Sequence, residues 1–155
     1  MHDDPEASTR PTENVRAYPR PPRVEPSNRH LKVVLGGVVV AETRRSWRVV
    51  ETGHPPVYYF PSQDVQTGLL VPSTRKTTCE WKGRARYYHV YVGDRRIESA
   101  VWTYPQPAAP YEAIRGHLAF YPALMDACYV DGELVTPEAG AFYGGWITGE
   151  IRGLA

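Results

Sequence analysis

The stretch Thr77–Val92, TTCEWKGRARYYHVYV, is the part of the chain that most constrains the fold. β-branched and aromatic residues crowd it, with tyrosine at 87, 88 and 91, and such a run suits a pleated, half-buried strand. Trp81, Lys82 and Gly83 stand side by side near its start. Gly83 suits a kink or a close backbone approach. An aromatic wall, a cation and a free backbone at one corner predict that a site is placed there.

The same grammar repeats from Leu31 onward, as short apolar runs separated by turn residues. Leu31–Leu35 and Val38–Glu42 flank Gly36-Gly37, a two-residue hairpin signal, and Arg84–Val92 and Arg95–Tyr104 flank Gly93-Asp94. Trp47–Glu51, Val57–Phe60, Leu118–Tyr121 and Cys128–Val130 read as further strands, and Asp131-Gly132 turns the chain into Leu134 and Val135. Helix is confined to a turn capped by Ser62 and a short segment from Tyr111 to Gly116. The tail from Thr136 reads as a loop pinned by Phe142, Tyr143 and Trp146. A chain of 155 residues supports one domain with a sizeable core. The expected class is mainly β, with little helix.

Composition shifts near residue 31. The first thirty residues hold Pro5, Pro11, Pro19, Pro21, Pro22 and Pro26 with many charges and few aliphatics, which predicts a tail outside the core. Met1–Asn14 is expected to be disordered. Tyr18–Pro26, YPRPPRVEP, favours a stiff, extended conformation. Its Val15, Tyr18, Pro19 and Pro21 recur in order as Val101, Tyr104, Pro105 and Pro107, so both Tyr-Pro segments are candidates to pack as arms against one sheet. The expected division is a tail over 1–30, a β-domain over 31–135 and a C-terminal tail over 136–155.

Several function classes find no support. A formal charge of +1, from 18 basic and 17 acidic residues, gives no global electrostatic case for nucleic acid or an anionic membrane. The apolar run Val38–Ala41 is far short of a membrane span. Asp3, Asp4 and Glu6 stand where a signal peptide needs basic residues, which predicts a soluble cytoplasmic protein. Cys79 and Cys128 form neither a disulfide framework nor a zinc quartet, so reduced thiols and no bound metal or other cofactor are expected.

At this point the residues resemble a known family. Glu51, then His54-Pro55-Pro56-Val57-Tyr58-Tyr59-Phe60-Pro61 with Asp64-Val65, is similar to the signature of the bacterial family catalogued as domain of unknown function 427. Thr77–Tyr88 resembles its second block. Trp102, Tyr104, Pro105 and Pro107, and then Ala119–Pro122, resemble its third and fourth. The resemblance implies a β-tent-like fold, two antiparallel sheets meeting at an angle. It also carries a nucleotidyltransferase-like label. The residues give that label little to stand on, because the chain has no Asp-x-Asp and no Gly-Ser dipeptide to hold magnesium and phosphates.

The polar candidates are Glu51, His54 and Lys82. Parity places Trp47, Val49 and Glu51 on one inward face, with Arg48 pointing away. Glu51 stands three residues before His54, close enough for its carboxylate to orient the imidazole as a general base; the alternatives are an edge salt bridge and a structural histidine. Pro55 and Pro56 stiffen the loop that carries His54. Lys82 suits an anionic ligand or a developing oxyanion, against the reading of a solvated turn lysine. Cys79 is either a nucleophile or a small buried hydrophobe. Tyr58, Tyr59, Trp81, Tyr88, Trp102 and Tyr104 are core aromatics first and pocket walls second. His89 reads as structural. Together they predict that Glu51, His54 and Lys82 converge on one small-molecule cleft walled by Trp81 and at least one of Tyr58, Tyr59 and Tyr88. The competing reading is an aromatic cage without chemistry, in a monomer or homodimer.

Overall fold

The structure is a computed structural model and describes residues 10–140 and 143–154. The strands in chain order are β1 (Glu13–Asn14), β2 (Arg23–Ser27), β3 (Leu31–Leu35), β4 (Val38–Thr43), β5 (Ser46–Val50), β6 (Val57–Tyr59), β7 (Leu70–Cys79) and β8 (Gly83–Val92), followed by β9 (Arg95–Thr103), β10 (Ala119–Phe120), β11 (Ala127–Val130), β12 (Glu133–Leu134), β13 (Thr136–Pro137), β14 (Trp146–Ile147) and β15 (Ile151–Arg152). They form two four-stranded sheets, β10-β9-β8-β7 and β12-β11-β3-β4, a three-stranded sheet β2-β5-β6, and the short pairs β13-β14 and β1-β15. Among the described residues these strands pair antiparallel, except β1 with β15. Helix is limited to short 3-10 turns, and no helix among the described residues is long and apolar enough to cross a membrane. The fold is mainly β and built from antiparallel sheets, as expected.

Each sheet follows from alternation. In β3, Leu31, Val33 and Leu35 are buried while Lys32 and Val34 are partly exposed, so one face enters the core. Burying each of those three side chains is worth about 1.5–3 kcal/mol. They meet Val90 and Val101 of β8 and β9, together with Tyr58, Phe60, Phe120 and Trp146, in the main core. The opposite face of β8 and β9 carries Ala85, Tyr87 and Trp102, which pack against Val49 of β5 and Tyr59 of β6 in a second cluster. In β6, Tyr58 therefore enters one core and Tyr59 the other. Paired backbone hydrogen bonds between Phe60 and Leu118, each 2.8 Å, tie the β6 end to the β10 region.

Several expectations are corrected at the ends. Arg10–Asn14 is built into the fold, so the disorder expected for Met1–Asn14 does not extend to these residues; residues 1–9 lie outside the described ones. Arg10 is nearly buried and pairs with Asp131, Glu133 and Glu150, and β1 pairs with β15. These carboxylates come from distant parts of the chain, which is why local composition could not announce them. Strand β2 pairs along its whole length with β5, so the expected boundary at residue 31 cuts through a sheet. The boundary at 135 does likewise, because Trp146 of the C-terminal segment is buried against Tyr58 and Phe60.

The two Tyr-Pro segments lie on opposite faces of the β2-β5-β6 sheet. Tyr18 packs with Val15, Val50 and Ile151, whereas Tyr104 packs with Val49 and Tyr59. Arg48, read from parity as pointing to solvent, is instead covered by the first segment and pairs with Glu13 and Glu25. Ser62 opens its 3-10 turn without capping it through its side chain.

Candidate functional site

Between the β5-β6 edge and the inner face of β8 and β9 lies a cleft of about 310 Å³. Val49, Val57 and Tyr59 form one wall, and Tyr87, Trp102, Tyr104 and Tyr121 form the other. Glu51, His54, Lys82, Cys79, Glu138 and Tyr143 line it as well, beside Pro55 and Gly144. The structure thus brings Glu51, His54 and Lys82 to one cleft, with Tyr59, Cys79, Trp102 and Tyr104 from the expected ligand-binding set. It does not bring the rest. Trp81 packs at the edge of the second cluster without lining the cleft. Tyr58 is buried against Trp146, and Tyr88 faces a different pocket on the far side of the sheet. The reason is strand parity: Tyr58 and Tyr88 neighbour the lining residues Tyr59 and Tyr87 in sequence, and adjacent side chains leave a strand on opposite faces.

The histidine's partner differs from the expected one. His54 Nδ1 lies 2.7 Å from Glu138 Oε2, whereas Glu51 meets His54 only through its backbone carbonyl, which accepts the His54 N–H at 3.0 Å. Three residues in a turn bring the backbones together, but the Glu51 side chain leaves toward Arg20, 3.5 Å away. Nothing local in the sequence singles out Glu138. It sits in a tail whose composition reads as loop, and only the folded β13-β14 pair delivers it.

That delivery is well defined. Glu138 Oε1 accepts the Gly145 N–H at 3.1 Å, and the Glu138 N–H donates to the Gly145 carbonyl at 3.1 Å. A carboxylate held at one oxygen by backbone and presenting the other to imidazole fixes the ring's orientation. Tyr143 adds a ring contact to His54 at 5.5 Å between centroids. Gly144 is packed flush on the site: a Cβ there would lie 2.3 Å from the Trp102 ring. Only glycine lets this segment close over the indole.

Lys82 occupies the turn between β7 and β8, as the Trp-Lys-Gly corner predicted. Gly83 has φ +108°, which a side-chain-bearing residue rarely adopts, and Lys82's carbonyl accepts the Ala108 N–H at 2.9 Å. The hairpin tip is therefore pinned beside the second Tyr-Pro segment. The Lys82 ammonium stands 5.8 Å from the centre of the Tyr104 ring, and among the described residues no carboxylate lies within ion-pairing distance of it. A cation without a counter-charge inside an aromatic cleft favours an anion there.

The tyrosines supply neutral donors. Burial pushes the hydroxyls of Tyr59, Tyr104 and Tyr121 well above the ordinary tyrosine range. They stay protonated at any physiological pH. Tyr59 is further placed by the Trp102 Nε1–H, which donates to its oxygen at 3.3 Å. Of the two free thiols, Cys79 is partly exposed in the cleft and Cys128 lies in the main core, where burial pushes its thiol up to about 12. No three of His, Cys, Asp and Glu gather among the described residues as a metal ion would need.

Residues 23–131 match a protein-family model described as a domain of unknown function, DUF427. That span includes β2 through β11 but ends before Glu138. No curated protein matches the chain.

Proposed function

Since the chain belongs to the domain of unknown function 427 family, whose description carries no activity, we propose from the cleft that it binds a small anionic or polar molecule there and transfers a proton to or from it. His54 is the acid/base, oriented by Glu138. Lys82 receives the anionic part of the ligand, and the protonated tyrosines donate hydrogen bonds to its acceptors. The observation that carries this reading is the 2.7 Å His54–Glu138 contact in the same cleft as Lys82, which has no carboxylate partner among the described residues. Imidazole held by carboxylate is the usual means of keeping one ring nitrogen aimed at a substrate proton. Glu51 is a rim carboxylate shared with Arg20 in this account and no longer the orienting group.

A non-catalytic module is the second reading, favoured by the aromatic lining of Tyr59, Tyr87, Trp102, Tyr104 and Tyr121. Lys82 speaks against a cationic ligand in such a cage. The nucleotidyltransferase-like label gains nothing from the cleft, where Glu51 and Glu138 are each engaged by other side chains. In either reading the protein is a cytoplasmic binder of small molecules in bacteria, monomeric or homodimeric, without nucleic-acid or membrane partners.

The test is a thermal-shift panel of small carboxylates, phosphates and neutral metabolites, because a ligand that binds only the folded state raises its melting temperature by mass action. Anionic compounds should dominate the hits, and their shifts should shrink in Lys82→Ala. A panel in which cations or neutral compounds dominate, unaffected by Lys82→Ala, would sink the reading.

A further inference from the structure

The β7-β8-β9 sheet has a second usable surface, on the face opposite the cleft. Its register sets the arrangement. Arg86 is the direct cross-strand partner of Lys76 on β7 and of Thr103 on β9, and Arg84 is the partner of Thr78. Arg84, Arg86 and Tyr88 alternate with Ala85 and Tyr87, whose side chains enter the second cluster. Three cations, Lys76, Arg84 and Arg86, therefore share one exposed face, and none has an acidic partner among the described residues.

Beside them the same face opens into a pocket of about 340 Å³. Leu70, Pro72, Tyr88, Pro105 and Leu118 give it apolar walls, and Ser62, Thr67 and Thr103 line it with hydroxyls. Among the described residues, no charged one lines it. Thr103 is 5% exposed, and its Oγ1 is buried without a hydrogen-bond partner among the described residues, an arrangement that is unfavourable until something supplies one. The adjoining depression is lined by Arg84, Arg86, Pro105 and Gln106, so Pro105 is common to both. Arg86 and Thr103 span the junction as cross-strand neighbours, with Cβ atoms about 5 Å apart in such pairs.

We propose that this face is a second ligand site, for an amphipathic anion. An apolar or aromatic body enters the pocket of Leu70, Tyr88 and Leu118, and an anionic head lies on Arg84 and Arg86. Guanidinium groups two residues apart on one strand are placed to take phosphate or carboxylate oxygens by forked, charge-assisted hydrogen bonds. Lys76 adds charge without geometry. Thr103 Oγ1 gains its missing partner from a polar atom at the neck of the ligand. No residue lining this surface lines the cleft, so the two sites are independent in composition and share only the sheet between them.

Calorimetric titrations of the full chain with 2-naphthyl phosphate, 2-naphthol and inorganic phosphate test it. The expected result is that 2-naphthyl phosphate binds at least tenfold more tightly than either fragment. Arg84→Ala with Arg86→Ala should weaken it at least tenfold while leaving the melting temperature unchanged, since both side chains are exposed. Because an aromatic anion also suits the cleft, the titrations are repeated in a Lys82→Ala background, where binding should persist and replacing the arginine pair should weaken it by the same factor. The proposal is overturned if 2-naphthyl phosphate fails to bind, if inorganic phosphate binds equally well, or if Lys82→Ala abolishes binding in place of the arginine pair. Tighter binding of an oligothymidylate than of 2-naphthyl phosphate to the same arginines would overturn it in favour of nucleic acid.

Discussion

Glu138, far along the chain from His54, supplies the carboxylate that holds the His54 ring, at 2.7 Å from Nδ1. This one contact makes the C-terminal segment part of the site. If the contact positions an acid/base, Glu138→Gln should lower turnover of any cleft substrate by roughly 10²-fold or more, the scale of general acid–base contributions. Because the amide can still accept the Gly145 N–H, the melting temperature should change little. A rate loss matched by an equal loss of folded protein would assign Glu138 a structural role.

The glycine seam gives a second prediction. Gly144→Ala places a Cβ against the Trp102 ring, where only 2.3 Å is available, so the loop must lift off the indole. Ligand affinity in the cleft should fall in this variant, and intrinsic tryptophan fluorescence should shift as Trp102 is uncovered. Wild-type affinity and an unchanged spectrum would show that the seam closes some other way.

Arg10 anchors the N-terminal segment. Arg10→Ala leaves Glu150 buried with one cation fewer and should destabilise by about 3–5 kcal/mol, the scale for breaking a buried pair. The effect also depends on pH. Burial would raise the Glu150 carboxyl, but its hydrogen bonds from Thr148, the backbone and Arg29 and the charge of Arg10 outweigh it and hold it below the ordinary range. The native state therefore favours the ionised form. This contribution is present above an unfolded value of about 4.3 and is lost as pH falls through the lower folded value. Melting temperatures across acid pH should drop less steeply in Arg10→Ala than in the wild type, and equally steep curves would contradict the assignment. Deleting residues 1–14 should likewise destabilise the protein, since Arg10 and Glu13 leave with them.

Two tryptophans separate core from rim. Trp146 is 1% exposed and packs on Tyr58 and Phe60, so Trp146→Ala should lower stability by about 3–5 kcal/mol. Trp47 is only partly buried, at the edge of the second cluster, and Trp47→Ala should be milder. Denaturant midpoints for the two variants rank them directly.

What the sequence made legible follows from its periodicities. The alternation in Leu31–Leu35 and Arg84–Val92 and the turns at Gly36-Gly37 and Gly93-Asp94 appear in the structure as paired strands and their connections. Strand β2 was hidden by its own proline, since Pro26 lies in an outer strand of its sheet where an N–H is dispensable. Strand β7 was hidden because Thr74, Lys76 and Thr78 face solvent and Pro72 interrupts it. Glu51, His54 and Lys82 were legible as cleft residues because strand parity and turn chemistry are local. Glu138 was not, because nothing local distinguishes a loop glutamate from one that the closed fold brings to a histidine.

In the proposed function, the cleft holds an anionic small molecule against Lys82 and the His54–Glu138 pair. The most direct measurement is a calorimetric titration of the strongest anionic hit from the thermal-shift panel into wild type, Lys82→Ala and His54→Gln. Lys82→Ala should weaken binding at least tenfold with an unchanged melting temperature, and His54→Gln should retain most of the affinity while losing turnover. Equal affinity of wild type and Lys82→Ala for every anionic hit would contradict the proposed function.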